Sequence, residues 1–354
     1  MRVRQPDLSI VIPLLNELDN ISELVSELLG QRDITVELIL VDGGSHDGSY
    51  ELCCQLAEQH PDAINCLQTD AGRALQMNLG AEYARAQDVL FLHADTQIKD
   101  ATLLQRALAA MNKQRQRQPD QQFAGHFALR FLRSQPGHDR AYYFYEAKTH
   151  LNRPDTINGD QGLLLSRNFF RSLGRFDESL PYMEDARLAS RIFEHGCWIT
   201  LPGIVYSSAR RFEREGLKQR QILNAFLCNF QHIGLHEFFS QAGEAYRAQD
   251  QTAALQLKPF LKIIHRLMMG GGVLNAARRW YQTGSYTAAN AWQLAFAADC
   301  KRAQQTGKDP GDCATKRLDF YDRWLADVMT SAPCRALTAV LTMIWFYSLY
   351  LTEK

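Results

Sequence analysis

The chain has 354 residues, 46% hydrophobic and 22% charged, enough for one large domain with an extension or for two domains. Its 39 Lys+Arg balance 39 Asp+Glu, so net charge gives no reason to expect nucleic acid or an acidic partner. Its eight cysteines form no C-x-x-C pair and no zinc-ligand spacing, which reads as reduced thiols in a cytosolic protein.

The N-terminal run MRVRQPDLSIVIPLLNE carries two arginines and then apolar residues. Pro13 and Asn16-Glu17 close it without a small-residue cleavage site, so it is expected to be a first strand, Leu8–Pro13, and not a signal peptide. Asn20 and Glu23 have the spacing of a capping box, followed by Ile21, Leu24, Val25 and Leu28 at helical intervals. Val36–Val41 reads as a second strand and Ser49–Gln59 as a second helix. Ile64–Leu67, Arg73–Arg85 and Val89–His93 continue the alternation. Such repetition predicts a parallel sheet with helices on both faces. Further on, a helix is expected over Ala101–Arg115, a strand around Phe127–Phe131 and a helix over Asp139–Leu151. Gly162–Ser166 reads as a strand, Glu184–His195 as a helix, and Cys197–Leu201 and Ile204–Ser208 as two short strands. Beyond about residue 216 the strand signal stops. Helices are expected over Leu217–Phe239, Gly243–Leu257, Phe260–Met269, Leu274–Tyr281, Ala288–Gln305, Lys316–Met329 and Arg335–Leu351. The boundary is drawn near residue 240, giving domains 1–240 and 241–354. Ala336–Leu351 is apolar but shorter than the roughly 18–20 residues of a spanning helix. A docked helix is expected there, with contact to a bilayer surface as the alternative.

The carboxyl ends of parallel strands share one edge, where open α/β sheets bind their ligands. Strand one runs into Pro13, Asn16 and Glu17. Strand two runs into DGGSHDGS, where Asp42 can accept from a base N–H or a sugar hydroxyl, Gly44 allows a tight turn, and Ser45 and Asp47 can cap the next helix. The loop fits neither GxGxxG nor GxxxxGK[ST]. Gly72 and Arg73 open the third helix, where free N–H groups and a guanidinium suit a phosphate, with the Gln76 and Asn78 amides close behind. His93-Ala94-Asp95 ends strand four, and Asp95 is a hard-oxygen donor suited to Mg²⁺ or Mn²⁺. The D-x-D-x-T of aspartyl phosphatases lacks its nucleophile here, because His93 takes that place. Asp160-Gln161 precedes a strand. Glu184-Asp185 opens a helix whose dipole favours ionised carboxylates, as a general base requires. Arg210, Arg211 and Arg214 could clamp a diphosphate. Each of these groups could equally be a cap or a solvated surface feature, and His46, His126 and His195 read as structural.

Taken in order, SIVIPLLNE, VDGGSHDGS, AGRALQMNLGA, LFLHADT, GDQGLLLSR, YMEDARLASR and SSARRFEREG resemble family 2 glycosyltransferases of the GT-A fold, over residues 8–216. More narrowly they resemble the radical-SAM/selenodomain-associated transferases of the second type, which tend to carry histidine where His93 stands. The resemblance implies a mostly parallel α/β sheet, with the helical remainder as an extension of unknown role. It implies a UDP- or GDP-sugar donor, Mg²⁺ or Mn²⁺, and an unidentified acceptor hydroxyl. Asp42 would bind base or ribose beside Glu17, Asp95 would hold the metal, and Asp185 would activate the acceptor. Arg73, Arg210 and Arg211 would face the diphosphate. The alternatives are a nucleotidyltransferase, for which the chain lacks a basic G-x-G-x-R loop, and a non-catalytic nucleotide-sugar-binding scaffold. A cytoplasmic location is expected, with membrane association through the C-terminal helix as an option.

Overall fold

A computed structural model of the protein describes residues 5–180, 182–247, 249 and 254–353. The chain divides into two compact units, Met1–Leu132 with Lys148–Ser208, and Arg133–Ala147 with Ala209–Lys354. The first unit begins β1 (Leu8–Leu14), α1 (Leu18–Leu29), β2 (Val36–Asp42), α2 (Ser49–Gln59), β3 (Ile64–Gln68) and α3 (Arg73–Tyr83). It continues with β4 (Asp88–Phe91), β5 (Thr96–Gln97), α4 (Leu103–Arg117) and β6 (Phe123–Leu132). After α5 (Asp139–Lys148) come β7 (Leu163–Ser166), α6 (Arg167–Ser172), α7 (Glu184–His195) and β8 (Cys197–Ser208).

These strands form one sheet in the order β3-β2-β1-β4-β7-β6-β8-β5. β1, β2, β3 and β4 are parallel, as expected, and β6 and β8 are parallel to each other. β7 runs antiparallel to β4 and β6, and β5 antiparallel to β8, so the sheet is mostly parallel but mixed. The reversal at β7 arises because a 3₁₀ turn, Gly159–Gln161, delivers the chain to the carboxyl edge of β4, where Leu163 pairs with Phe91. The two short strands expected over Cys197–Ser208 are one strand. Pro202 and Gly203 (φ 102°) break the sequence pattern, and the irregular register between His126 and Ala128 of β6 absorbs them.

Alternation along β1 explains why both faces are covered. Leu8, Ile10 and Ile12 pack with Ile21, Leu24 and Leu28 of α1 and Leu104 and Met111 of α4. Val11 points the other way, into a core with Met77 of α3, Phe170 of α6 and Leu188 of α7. α3 approaches β1 so closely that a Cβ on Gly80 would lie 2.4 Å from Val11 Cγ1.

The second unit is helical among its described residues: α5, all but its last residue, then α8 (Arg210–Glu215), α9 (Leu217–Ile233), α10 (Glu237–Arg247), α11 (Lys258–Met269), α12 (Val273–Ala289), α13 (Trp292–Gln305), α14 (Lys316–Trp324), α15 (Ala326–Met329) and α16 (Ala332–Thr352). The compact units part after Ser208, and α9 is joined to α12, where Asn229 Nδ2 donates to Thr283 Oγ1 at 3.2 Å. The single helix expected over Leu217–Phe239 is two. Gly234, at φ 71°, ends α9, and Leu235 N–H returns to the Phe230 carbonyl. The helix expected over 243–257 falls partly outside the described residues, as do the first residues of the N-terminal run. α16 is longer than its apolar core suggested. Its 21 residues make it the one described helix long and apolar enough to cross a membrane.

Candidate active site

Four segments arrive at one edge of the sheet because of strand direction. β1, β2 and β4 end there, and antiparallel β7 begins there. The register pairs Leu14 with Asp42 and Phe91 with Leu163, so the segments after β2, after β4 and before β7 are neighbours. Between β4 and β5 the chain makes a turn, with Thr96 N–H donating to the His93 carbonyl. β5 then pairs with the end of β8, Thr96 opposite Ser207. The strand therefore stops at Phe91, short of Asp95, because a turn must carry the chain across the edge.

At the end of β2, Asp42 is buried. Its Oδ2 accepts from the backbone N–H of Gly44 at 2.8 Å and Ser45 at 3.0 Å, and from Gln68 Nε2 at 3.3 Å. Its Oδ1 is buried without a hydrogen-bond partner in the structure. A buried acceptor left this way costs about 1–3 kcal/mol unless a ligand satisfies it. The loop is locked onto the β1–α1 turn. Asn16 N–H donates to Ser45 Oγ at 2.8 Å, Glu17 N–H to Ser49 Oγ at 2.9 Å, and His46 N–H to Asn16 Oδ1 at 2.9 Å. These contacts, with Leu18 N–H donating to Asp47 Oδ2 at 3.2 Å, begin α1 at Leu18. The expected capping box at Asn20 and Glu23 is not formed; Asn20 Nδ2 bonds Glu17 Oε2 instead.

Beside it stands an acidic cluster around one guanidinium. His93 Nδ1 lies 2.7 Å from Asp160 Oδ1. Gly159 N–H donates to Asp185 Oδ2 at 2.7 Å, and Ala186 N–H to Asp185 Oδ1 at 2.7 Å. A Cβ at Gly159 would meet His93 Nε2 at 2.6 Å, so the 3₁₀ turn, the HADT turn and the start of α7 touch at one point. Arg73 Nη1 lies 3.4 Å from Glu184 Oε1. Desolvation opposes the charge on Arg73, but Glu184, Asp185, Asp160 and Asp95 together hold it firmly protonated. Burial, and then the Asp185 charge, push the Glu184 carboxyl above its usual range, while Arg73 pulls the other way. Thr69 N–H donates to the Asp42 carbonyl, so the chain leading to Arg73 links this cluster to the Asp42 loop.

Several expected contacts go elsewhere. Gln76 is buried and its Nε2 donates to the Leu14 and Val41 carbonyls at 2.7 and 2.8 Å, tying two strand ends together. Asn78 is bound to Phe176 and Glu178. Both are corrected from ligand contacts to positioning residues, because their amides are engaged on protein groups. Gln161 Nε2 donates to the Thr156 carbonyl at 2.7 Å. Ala94 sits in the core, leaving only its backbone for the edge, and Pro13 is half-buried in β1. Gly72 precedes α3 in an extended conformation. Arg210 and Arg211 open α8, in the second unit. Gln68 carries no motif signal; only the strand register brings it in. Gly159 opens the GDQGLLLSR stretch but is not among the expected site residues. Ser45 and Asp47 look like caps for α2 but also reach the β1–α1 turn.

Among the described residues no three His, Cys, Asp or Glu side chains form a ready cation cage. The donors at this edge are carboxylates, the chemistry Mg²⁺ and Mn²⁺ prefer. Such ions are commonly held by one or two carboxylates, with substrate phosphates completing the shell. Asp95 fits that arrangement.

Residues 9–174 match the family described as Glycosyl transferase family 2. This stretch, just under half of the chain, is similar to family 2 glycosyltransferases. Within it lie the Asp42 loop, Arg73, the His93–Asp95 turn and Asp160; Glu184 and Asp185 follow it. An uncharacterized glycosyltransferase, YibD of Escherichia coli (strain K12), is 33% identical over 91 residues, 26% of this chain and 26% of that protein. Another, alr2836 of Nostoc sp. (strain PCC 7120), is 34% identical over 89 residues, 25% of this chain and 28% of that one. The chain thus spans about a quarter of the length of these curated relatives. Among solved structures, the mannosyltransferase PcManGT from Pyrobaculum calidifontis, in complex with GDP-Man and Mn²⁺, aligns with 97% of this chain and 88% of its own at 18% identity and a TM-score of 0.47.

Proposed function

We propose that the protein transfers a sugar from a UDP- or GDP-sugar to an acceptor hydroxyl, with a divalent metal and with inversion at the anomeric carbon. The observation that carries this is the meeting of Arg73, His93, Asp160, Glu184 and Asp185 at the sheet edge that also holds Asp42. In this reading Asp42 Oδ1, buried and unpartnered, accepts from the nucleoside. Arg73 faces the diphosphate, and its carboxylate neighbours keep it charged for that task. Asp185, oriented by the N–H groups of Gly159 and Ala186, takes the proton of the acceptor hydroxyl. Direct in-line attack inverts the sugar carbon. Asp95 would hold Mg²⁺ or Mn²⁺, which when bound neutralises the charge of the departing diphosphate. Arg210 and Arg211 are kept as further diphosphate contacts. His93 in the HADT turn supports the narrower resemblance to the selenodomain-associated subgroup. A working domain of 1–240, a cytoplasmic location and peripheral membrane contact through α16 belong to the same proposal.

The test is Asp185→Asn with nucleotide-sugar donors. Turnover, including slow donor hydrolysis, should fall about 10²–10⁴-fold with donor affinity retained. Wild-type turnover in this variant would remove Asp185 as the base.

A further inference from the structure

α16 is apolar on both sides, although only one side is packed. On its inner side Phe346 lies 5.5 Å from Trp280 of α12, ring to ring, and a Cβ on Gly284 would meet Ala339 N at 2.4 Å. On its outer side Leu337, Val340, Leu341, Ile344, Trp345 and Leu351 are exposed. These recur every three or four residues, the spacing of one continuous stripe. No charged residue occurs between Arg335 and Glu353. α12 runs antiparallel to α16, with Gly284 near Ala339 and Trp280 near Phe346. The end of α16 therefore lies on the same side as the start of α12, where Val273 (82%) and Leu274 (87%) are among the most exposed apolar residues. α11 flanks this end: Lys258 Nζ donates to the carbonyls of Tyr350 and Glu353, and His265 Nδ1 lies 3.2 Å from Tyr347 Oη.

The α11–α12 segment beside the stripe carries charge of one sign. From Gln251 to Ala298 the sequence has no acidic residue but contains Lys258, Lys262, Arg266, Arg278 and Arg279. Lys258 and Arg279 are engaged in holding helix ends, while Lys262, Arg266 and Arg278 are exposed. An apolar stripe rimmed by cations suits an anionic lipid surface. A second copy of the chain suits it less, since a twofold contact would bring the same basic rims together. A lone spanning helix would have to leave its close seat on α12, which carries Arg278, Arg279 and Gln282.

We propose that the outer face of α16 and the α11–α12 turn form a docking surface for an anionic bilayer. The stripe lies in the interface plane, and Lys262, Arg266 and Arg278 meet the headgroups. This deepens the reading of α16 as a membrane contact and does not depend on which reaction the sheet unit performs.

Flotation of the full chain with vesicles of phosphatidylcholine, alone or mixed with phosphatidylglycerol, tests it. Partition into the mixed vesicles should exceed that into neutral ones by at least about tenfold and fall with added salt. The pair Leu341→Glu and Ile344→Glu should abolish binding while leaving the melting temperature and nucleotide binding unchanged, because both side chains are exposed. The pair Lys262→Glu and Arg278→Glu should remove only the anionic increment. Brominated lipid should quench tryptophan emission of the wild-type chain. Vesicle binding unchanged in the Leu341/Ile344 variant, or no flotation and no quenching by the wild type, overturns the proposal. A concentration-dependent dimer that this variant abolishes, without vesicle binding, would assign the face to a second copy.

Discussion

A Cβ at position 159 would sit 2.6 Å from His93 Nε2 and 3.0 Å from Asp185 Oδ2. Glycine is needed there for close approach rather than for a left-handed backbone. Gly159→Ala should push the HADT turn away from the start of α7, and misplacement of that order can cost about 10²-fold in turnover. The expected readout is a fall in turnover with little change in melting temperature; an active variant would detach Gly159 from the site. Glu184 makes a second, pH-dependent prediction. Its carboxyl titrates higher in the folded than in the unfolded chain, chiefly through burial and then through Asp185. Between the two values the folded state holds the extra proton. Its contribution is therefore fully present below the unfolded value and lost as pH rises through the folded one. Wild-type stability relative to Glu184→Gln should decline as pH rises above about 4.5 in paired denaturant titrations, at a slope of up to about 1.4 kcal/mol for a tenfold fall in proton concentration. A constant or rising difference would contradict the assignment.

At the scale of elements, the packing of α3 on β1 decides whether the edge forms. Gly80→Ala gains helix propensity of about 1 kcal/mol. The new methyl would meet Val11 at 2.4 Å and Val41 at 3.2 Å, inside the core. Overpacking of this kind costs about 1–3 kcal/mol, so the net change should be destabilising in urea titrations. An unchanged or raised midpoint would show that α3 can shift without loss. The same elements show what the sequence made legible. β1 to β4 and α1 to α3 follow from apolar runs and helical spacing, which local physics governs. The reversed direction of β7 and the pairing of β5 with β8 are set by where the chain arrives, and no residue pattern encodes that. Asp42, Arg73, Asp95 and Asp185 could be singled out as candidates because they stand at element ends; their roles are part of the proposal. Gln76 and Asn78 misled because an amide at a helix start suits a ligand and a neighbouring carbonyl equally well. Gly159 stands in the GDQGLLLSR stretch, but its contact was not legible, since it is a backbone N–H to a residue far along the chain.

At the scale of the whole molecule, a mixed sheet gathers the acidic and guanidinium side chains, and a helical unit carries a helix without charge after Arg335 beside a basic segment. The sheet unit carries Asp42, Arg73, Asp95 and Asp185, the residues on which the proposed donor site rests. Calorimetric titration of UDP and GDP, with and without Mn²⁺, into wild type and Asp95→Ala tests this most directly. One of the two nucleotides should bind, at least about tenfold more tightly with Mn²⁺, and Asp95→Ala should lose that increment while keeping metal-free binding. Binding of neither nucleotide, or a Mn²⁺ increment that survives in Asp95→Ala, would contradict the account.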